Sequence, residues 1–171
     1  EADIVISSRA RLARCIEGFP FPFKAQEIEL LAVADMVYSA AKSLLQAFPN
    51  LKMAKVDELN SEDKDSLLDC HIISPEHAIG GPGRIVLLDI GGNLSIMINE
   101  EDHLRIQVMK SGLDLDGSWD IIDQVDTRLA MKLPYAYLDD LGYLTCSVSN
   151  IGTGLRLSVM MHLTGLMRMG K

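Results

Sequence analysis

Residues 84–89 and 94–99 are two short apolar runs separated by little more than Gly91-Gly92-Asn93, and this spacing constrains the fold most. It predicts a β-hairpin, because glycine and asparagine accept the positive φ that tight hairpin turns require. A third apolar run, 104–109, follows almost at once and predicts a strand beside the first two. Strands joined this closely run antiparallel, since a parallel crossover takes a dozen residues or more.

The remaining segments supply cover for such a sheet. Residues 3–7 alternate and are rich in Ile and Val, which predicts a strand, and 51–56 predict another. Over 27–48, Leu31, Ala34, Tyr38, Ala41, Leu45 and Phe48 recur at helical spacing, and Pro49 ends the pattern. Asn60 is placed to cap a short helix reaching about residue 70, with Asp63 in its first turn. Residues 80–83 are a glycine-rich loop. A helix is predicted over 116–133 with Trp119, Ile122, Val125 and Leu129 inward, then short strands at 143–146 and 155–163. The Met-rich stretch 160–169 reads as a strand end and a helix face. The sum is an α+β fold, an antiparallel β-sheet flanked by helices, in one domain spanning 1–171.

Composition narrows the setting. The 171 residues are 48% hydrophobic and 23% charged, an ordinary globular mix, with no internal repeat and no run near the ~20 apolar residues of a membrane helix. A formal net charge of −8 argues against nucleic acid or anionic membrane as partners. Cys15, Cys70 and Cys146 are odd in number and widely spaced, which suits neither a disulfide framework nor a zinc site and points to a reducing cytoplasm. The abrupt start and end predict a piece of a longer protein.

Three segments carry chemistry. In Ser7-Ser8-Arg9-Ala10-Arg11 the two arginines stand at i and i+2 on an extended segment and project the same way. Their planar forks suit phosphate oxygens, although a strand edge guarded by charge has the same look. In Asn99-Glu100-Glu101-Asp102-His103-Leu104-Arg105 three adjacent acids repel one another unless a cation sits among them; the alternative is a solvated turn. Ser149-Asn150-Ile151-Gly152-Thr153-Gly154-Leu155-Arg156 offers glycines for close backbone approach and amides that can cradle an anion. Neither a Gly-x-x-x-x-Gly-Lys loop nor the protein-kinase motif set occurs. On the residues alone this is an anion-binding domain, with nucleotide phosphates as one candidate. His77, His103 and His162 read as structural or exposed.

Taken in order, these segments resemble the ATP:guanido phosphotransferases, the family of creatine kinase and arginine kinase. The similarity rests on Ser-Ser-Arg-x-Arg at 7–11, Asn-Glu-Glu-Asp-His-Leu-Arg at 99–105 and Ser-Asn-x-Gly-Thr-Gly-Leu-Arg at 149–156. His71-Ile72-Ile73-Ser74-Pro75-Glu76 is similar to a stretch of the bacterial protein-arginine kinase branch. The resemblance implies a guanido-kinase, glutamine-synthetase-like fold and transfer of the ATP γ-phosphate to arginine residues in proteins. It implies Glu101 as catalytic base with Glu100 beside it, and Arg9, Arg11, Arg105 and Arg156 on the ATP phosphates. His71 would lie near the adenine, and Asn150, Gly152, Thr153 and Gly154 would line the nucleotide and transfer site. Mg2+ would be held mainly by phosphates and water, with no protein metal site.

Protein substrates with exposed arginine, a Clp-type protease system, a cytoplasmic location and a homodimer of the full-length protein follow from the same resemblance. It also predicts that the C-terminal part of the family domain is missing. Two alternatives stay open: a phosphagen-type kinase acting on free arginine, and a non-catalytic regulator that binds nucleotide or phosphoarginine. The family carries a reactive Cys three residues before the loop Asn, where this chain has Ser147, with Cys146 one place earlier. Either a local shift brings Cys146 into that role or the thiolate is gone.

Overall fold

The computed structural model describes residues 4–89, 91 and 93–170, apart from the side chains at 166 and 167. Residue 3 of the first predicted strand and residue 92 of the hairpin turn lie outside the described residues. Six strands form one antiparallel sheet: β1 (Val5–Arg14), β2 (Leu51–Lys55), β3 (Ile85–Asp89), β4 (Leu94–Ile98), β5 (Leu104–Ser111) and β8 (Leu155–Met161). Their order is β2-β3-β4-β5-β1-β8, so β3, β4 and β5 form the predicted meander and β1 inserts between β5 and β8. A small ribbon pairs β6 (Tyr137–Leu138) with β7 (Gly142–Tyr143).

Strand alternation gives the sheet two different faces. One carries Ala10, Leu12, Leu104, Ile106, Val108, Ile96 and Leu87, all buried beneath α1 (Glu27–Ala41) and α5 (Leu115–Ala130). The other is split. At the β3–β4 end, Val86 and Met97 pack with Ile73 under α3 (Ser61–Asp69) and α4 (Pro75–Ala78). At the β5–β1–β8 end the same face carries Arg9, Arg11, Arg105 and Arg156.

The predicted 27–48 helix is two helices, α1 and then α2 (Leu44–Ala47). Ser43 is the cause: its amide and its hydroxyl both bond to the Ala40 carbonyl, at 3.1 and 2.7 Å, which interrupts the i→i−4 ladder. The buried stripe is Val33, Ala34, Val37, Ala40, Ala41 and Leu44, whereas Leu31, Tyr38 and Leu45 are exposed. Small residues let α1 approach the sheet closely, and the larger apolar side chains sit at its flanks. In α5, Ile122, Val125 and Leu129 are fully buried as predicted, but Trp119 is 40% exposed because the inward position in that turn belongs to Ser118. Asn60 caps α3 as expected, its side chain accepting from the Asp63 amide at 2.8 Å. Among the described residues no helix is long and apolar enough to cross a membrane.

His77 lies fully buried at the second, smaller core. Its Nε2 is 3.2 Å from the Ile85 carbonyl and burial pushes its pKa down to about 4. The unfolded chain, near 6.5, takes up that proton first. His77 therefore contributes stability above about pH 6.5 that is lost as the pH falls towards 4. The shift corresponds to about 3 kcal/mol as an order of magnitude. His77→Gln should flatten the decline in denaturant midpoint between pH 6.5 and 4. Separately, Ile106→Ala should cost about 2–5 kcal/mol at neutral pH, because Ile106 is completely enclosed.

Candidate active site

The pleat of β1 puts Arg9 and Arg11 on the open face, and the register brings their partners to them. Arg11 pairs directly with Arg156 on β8, and Arg105 on β5 stands opposite Ala13, one step along the same face. Arg9 lies opposite Ser158, donating to its hydroxyl at 3.4 Å. Four guanidinium groups thus share one patch of three neighbouring strands. Burial first, then repulsion from Arg9, Arg105 and Arg156, pushes the Arg11 pKa down to about 10. Arg9 is lowered by burial and by Arg105 and Arg156. Among the described residues only Arg105 of the four has a carboxylate within salt-bridge range, Glu100 at 2.9 Å. Arg11 Nε is buried with no partner. Charges assembled in this way and left unpaired fit an anion as their natural complement.

A cavity of about 80 Å3 lies against this patch, lined by Arg11, Glu101, Arg105, Asn150, Gly154 and Arg156 among others. A neighbouring cavity of about 270 Å3 is bordered by Arg9, His71, Met109, Ser158 and Met160. His71 sits there with φ +55, its carbonyl accepting from Gln107 Nε2 at 2.7 Å. The Arg cluster and this second hollow share one sheet face, as an extended nucleotide would require.

The β4–β5 connection divides its motif between scaffold and site. Asn99, at φ +55, donates to the carbonyls of Leu30 at 2.8 Å and Gly83 at 3.2 Å. His103 is buried, its Nδ1 accepting from the Ile16 amide at 2.9 Å and its Nε2 3.1 Å from the Pro20 carbonyl. Asp102 turns inward, where it accepts from the Cys146 amide at 2.7 Å and the Cys15 thiol at 3.2 Å. Glu101 and Asp102 line the arginine-lined cavity, while Glu100 and Glu101 share a further one, so the three acids do not surround one cation.

These two glutamates are driven apart electrostatically. Burial alone would raise Glu100, but it is outweighed by hydrogen bonds from the Ser74 hydroxyl (2.6 Å) and the Glu101 amide (3.0 Å) and by Arg105, so its carboxyl is held low. Glu101 is raised, by burial and then by Asp102 and Glu100. Glu100 is thus a fixed anion and Glu101 the more basic of the pair, a division suited to proton transfer. Behind Glu101 opens a further cavity of about 430 Å3, bordered by Pro22, Phe23, Pro82, Glu100 and Cys146. Glu101 is common to the linings of this cavity and of the arginine-lined one.

Asn150 and Gly154 reach the arginine-lined cavity, but Gly152 and Thr153 do not. Gly152 pairs with Tyr143 through two backbone hydrogen bonds of 2.8 and 3.2 Å, and the Thr153 carbonyl accepts from Arg14 at 2.9 Å. Cys146 borders the cavity behind Glu101, but its thiol lies within 4.8 Å of Cys15 Sγ and Asp102. Cys15, burial and Asp102 together raise Cys146 far above the ordinary thiol range, so it remains protonated. Ser147 points its hydroxyl at that of Ser149, 2.8 Å away. Arg14, Asp126 and Ser74 were not read as site residues from the sequence. An Arg two places beyond Leu12, on its buried side of β1, and an Asp on the buried stripe of α5 were the available signals.

The fold is that of guanidino kinase catalytic domains. A solved lombricine kinase superposes with a TM-score of 0.86 over 98% of this chain and 50% of that one, at 24% identity. The duplicated taurocyamine kinase of Schistosoma mansoni with bound transition state analog components gives 0.88 over 98% and 25%, also at 24%. The chain belongs to the ATP:guanido phosphotransferase family, residues 32–171 matching its C-terminal catalytic domain. The protein-arginine kinase of Halothermothrix orenii is 43% identical over 166 residues, covering 97% of this chain and 47% of the relative. That of Desulforamulus reducens is 44% identical over 168 residues, covering 97% and 47%. The chain spans about half the length of these curated relatives.

The arginine cluster predicts opposite effects on stability and binding. Arg11→Leu should raise the ligand-free melting temperature by about 2–4 °C, as relief of ~1 kcal/mol of repulsion would in a domain of this size. The same variant should lose saturable binding of Mg-ATP in a calorimetric titration.

Proposed function

We propose that the protein transfers the γ-phosphate of ATP to the guanidino group of arginine side chains in proteins. The observation that carries this reading is the position of Glu101, common to the lining of an arginine-lined cavity and of an acidic, partly apolar one. The identity of 43–44% to proteins named protein-arginine kinase supports the choice of acceptor.

A guanidinium, protonated at any working pH, is a poor nucleophile until its proton has somewhere to go. Glu101 accepts that proton as the N–P bond forms and the bond from phosphorus to the ADP oxygen breaks. Glu100, held ionised by Ser74 and Arg105, aligns the planar cation and keeps Glu101 basic. Arg9, Arg11, Arg105 and Arg156 hold the phosphate oxygens, and His71 borders the hollow in which the base would rest. ATP would supply the phosphoryl group, and Mg2+ carried in on its phosphates would neutralise part of its charge. The unpartnered Arg11 Nε and the three arginines without a carboxylate fit that polyanion.

A regulator that binds nucleotide without transferring phosphate is favoured by one observation, the Cys146 thiol gathered with Cys15 and Asp102 while Ser147 is turned to Ser149. The two readings separate in one assay: Mg-ATP with a protein acceptor or with free arginine, and mass spectrometry without acid to map N-linked phosphate. Phosphoarginine on the protein acceptor is expected. Glu101→Gln should lower the turnover about 10²–10⁴-fold. ATP binding with no product from either acceptor would sink the kinase reading. Product from free arginine alone would move the activity to the phosphagen type. The working form of Glu101 is deprotonated, so kcat should rise with pH through its pKa. The midpoint of that acid limb should lie above the 4.5 of an ordinary glutamate.

A further inference from the structure

We propose that Arg14 is a positioning residue for phosphoryl transfer: it holds the 152–154 backbone in the shape that the arginine-lined cavity needs, without reaching that cavity. This deepens the kinase reading and rests on it for the identity of the anion.

Arg14 is the last residue of β1 and projects to the α5 side of the sheet, opposite Arg9 and Arg11. It is 3% exposed. One terminal nitrogen donates to both the Ala13 and the Thr153 carbonyls, each at 2.9 Å, and the other donates to Asp126 at 2.7 Å. Its guanidinium lies 3.7 Å from the centroid of the Tyr143 ring. Tyr143 in turn grips Gly152 through paired backbone hydrogen bonds. The Ala13 amide donates to the Gly154 carbonyl at 3.0 Å. Gly154 has φ +66, and a Cβ there would strike Arg14 Nη1 and the Ala13 carbonyl. The clamp therefore requires this glycine, whatever a ligand requires of it.

A continuous mechanical path results. Asp126 belongs to the buried stripe of α5 with Ile122, Val125 and Leu129, so its carboxylate is fixed by the core. Through Arg14 that rigidity reaches the Thr153 carbonyl, and on either side of it Asn150, Gly154 and Arg156 line the cavity. Lysine cannot replace the fork, because one ammonium cannot bond both carbonyls and Asp126 while stacking flat on a ring. An ion pair buried this deeply gives little net stability against an apolar replacement, so geometry is the stronger reason for an arginine here.

The test compares the parent protein with Arg14→Lys and Asp126→Asn, and adds Arg14→Met if it folds. Three quantities are read: melting temperature, hydrogen exchange of the 149–156 segment, and the Mg-ATP Kd by titration. Arg14→Lys should keep a melting temperature close to the parent's, exchange faster in 149–156 but not in β5, and bind Mg-ATP about tenfold more weakly. Turnover should fall about 10²-fold, the effect of an ångström-scale misplacement, with the acceptor KM unchanged. Unchanged exchange and ATP affinity in Arg14→Lys would overturn the proposal. So would losses that merely follow the unfolded fraction across the variants. A parent protein that binds Mg-ATP but makes no phosphoarginine defeats the kinase reading and leaves the clamp to be judged on exchange and affinity. One that binds no Mg-ATP defeats both.

Discussion

Four like charges gathered on one patch of a sheet repel one another, and the rest of the molecule is arranged around holding them there. The restraint comes from the reverse side of the same strands. Leu12, Leu104 and Ile106 are buried beneath α1 and α5, and Arg11 and Arg105 cannot move apart unless those side chains leave the core. Alternation makes the coupling strict, because a one-residue slip of β1 would turn Arg9 and Arg11 towards the core and Leu12 away from it. The hydrophobic effect, which is non-directional, is converted by strand pairing into the placement of directional donors.

The carboxylate side is solved by a different device. Three acids in succession cannot all face one site without heavy repulsion, and the turn separates them by rotating Asp102 inward. Asp102 is satisfied there by the Cys146 amide and the Cys15 thiol, which also ties the 146 region to β1. Glu100 is then pinned by Ser74, itself the N-cap of α4, and by Arg105. Among the described residues Glu101 has no comparable set of donors. That difference in hydrogen-bond supply moves the acidities of two adjacent residues of one type in opposite directions.

Much of the fold was legible in the sequence because hydrophobic periodicity and turn chemistry are local. The hairpin around residues 91–93, the third strand, the Asn60 cap and the inward face of α5 at Ile122, Val125 and Leu129 follow from spacing alone. Leu31, Tyr38 and Trp119 were misplaced because size and hydrophobicity do not reveal which stripe of a helix lies nearest the sheet. The break at Ser43 depended on one hydroxyl choosing a backbone carbonyl. In the site, the paired arginines and the adjacent glutamates were visible as motifs. What motifs could not disclose was direction: Asp102 sits inside one yet turns a carboxylate oxygen to Cys15 and Cys146, Thr153 sits inside another yet misses the arginine-lined cavity, and Arg14 bonds Thr153 from the far face. Such partners are long-range, and no local pattern encodes them.

The placement of β1 has a consequence for biosynthesis. Strand β1 is paired on one side by β5 and on the other by β8, both of which come much later in the chain. Arg11 therefore leaves the ribosome long before Gln107 and Arg156 exist to flank it, and pairings of such high sequence separation form slowly. A growing chain that ends before β8 already contains the β3–β4–β5 meander and the turn that carries the glutamates, but lacks Arg156 of the four-arginine patch. The arginine patch is thus completed only after the acidic turn has been made.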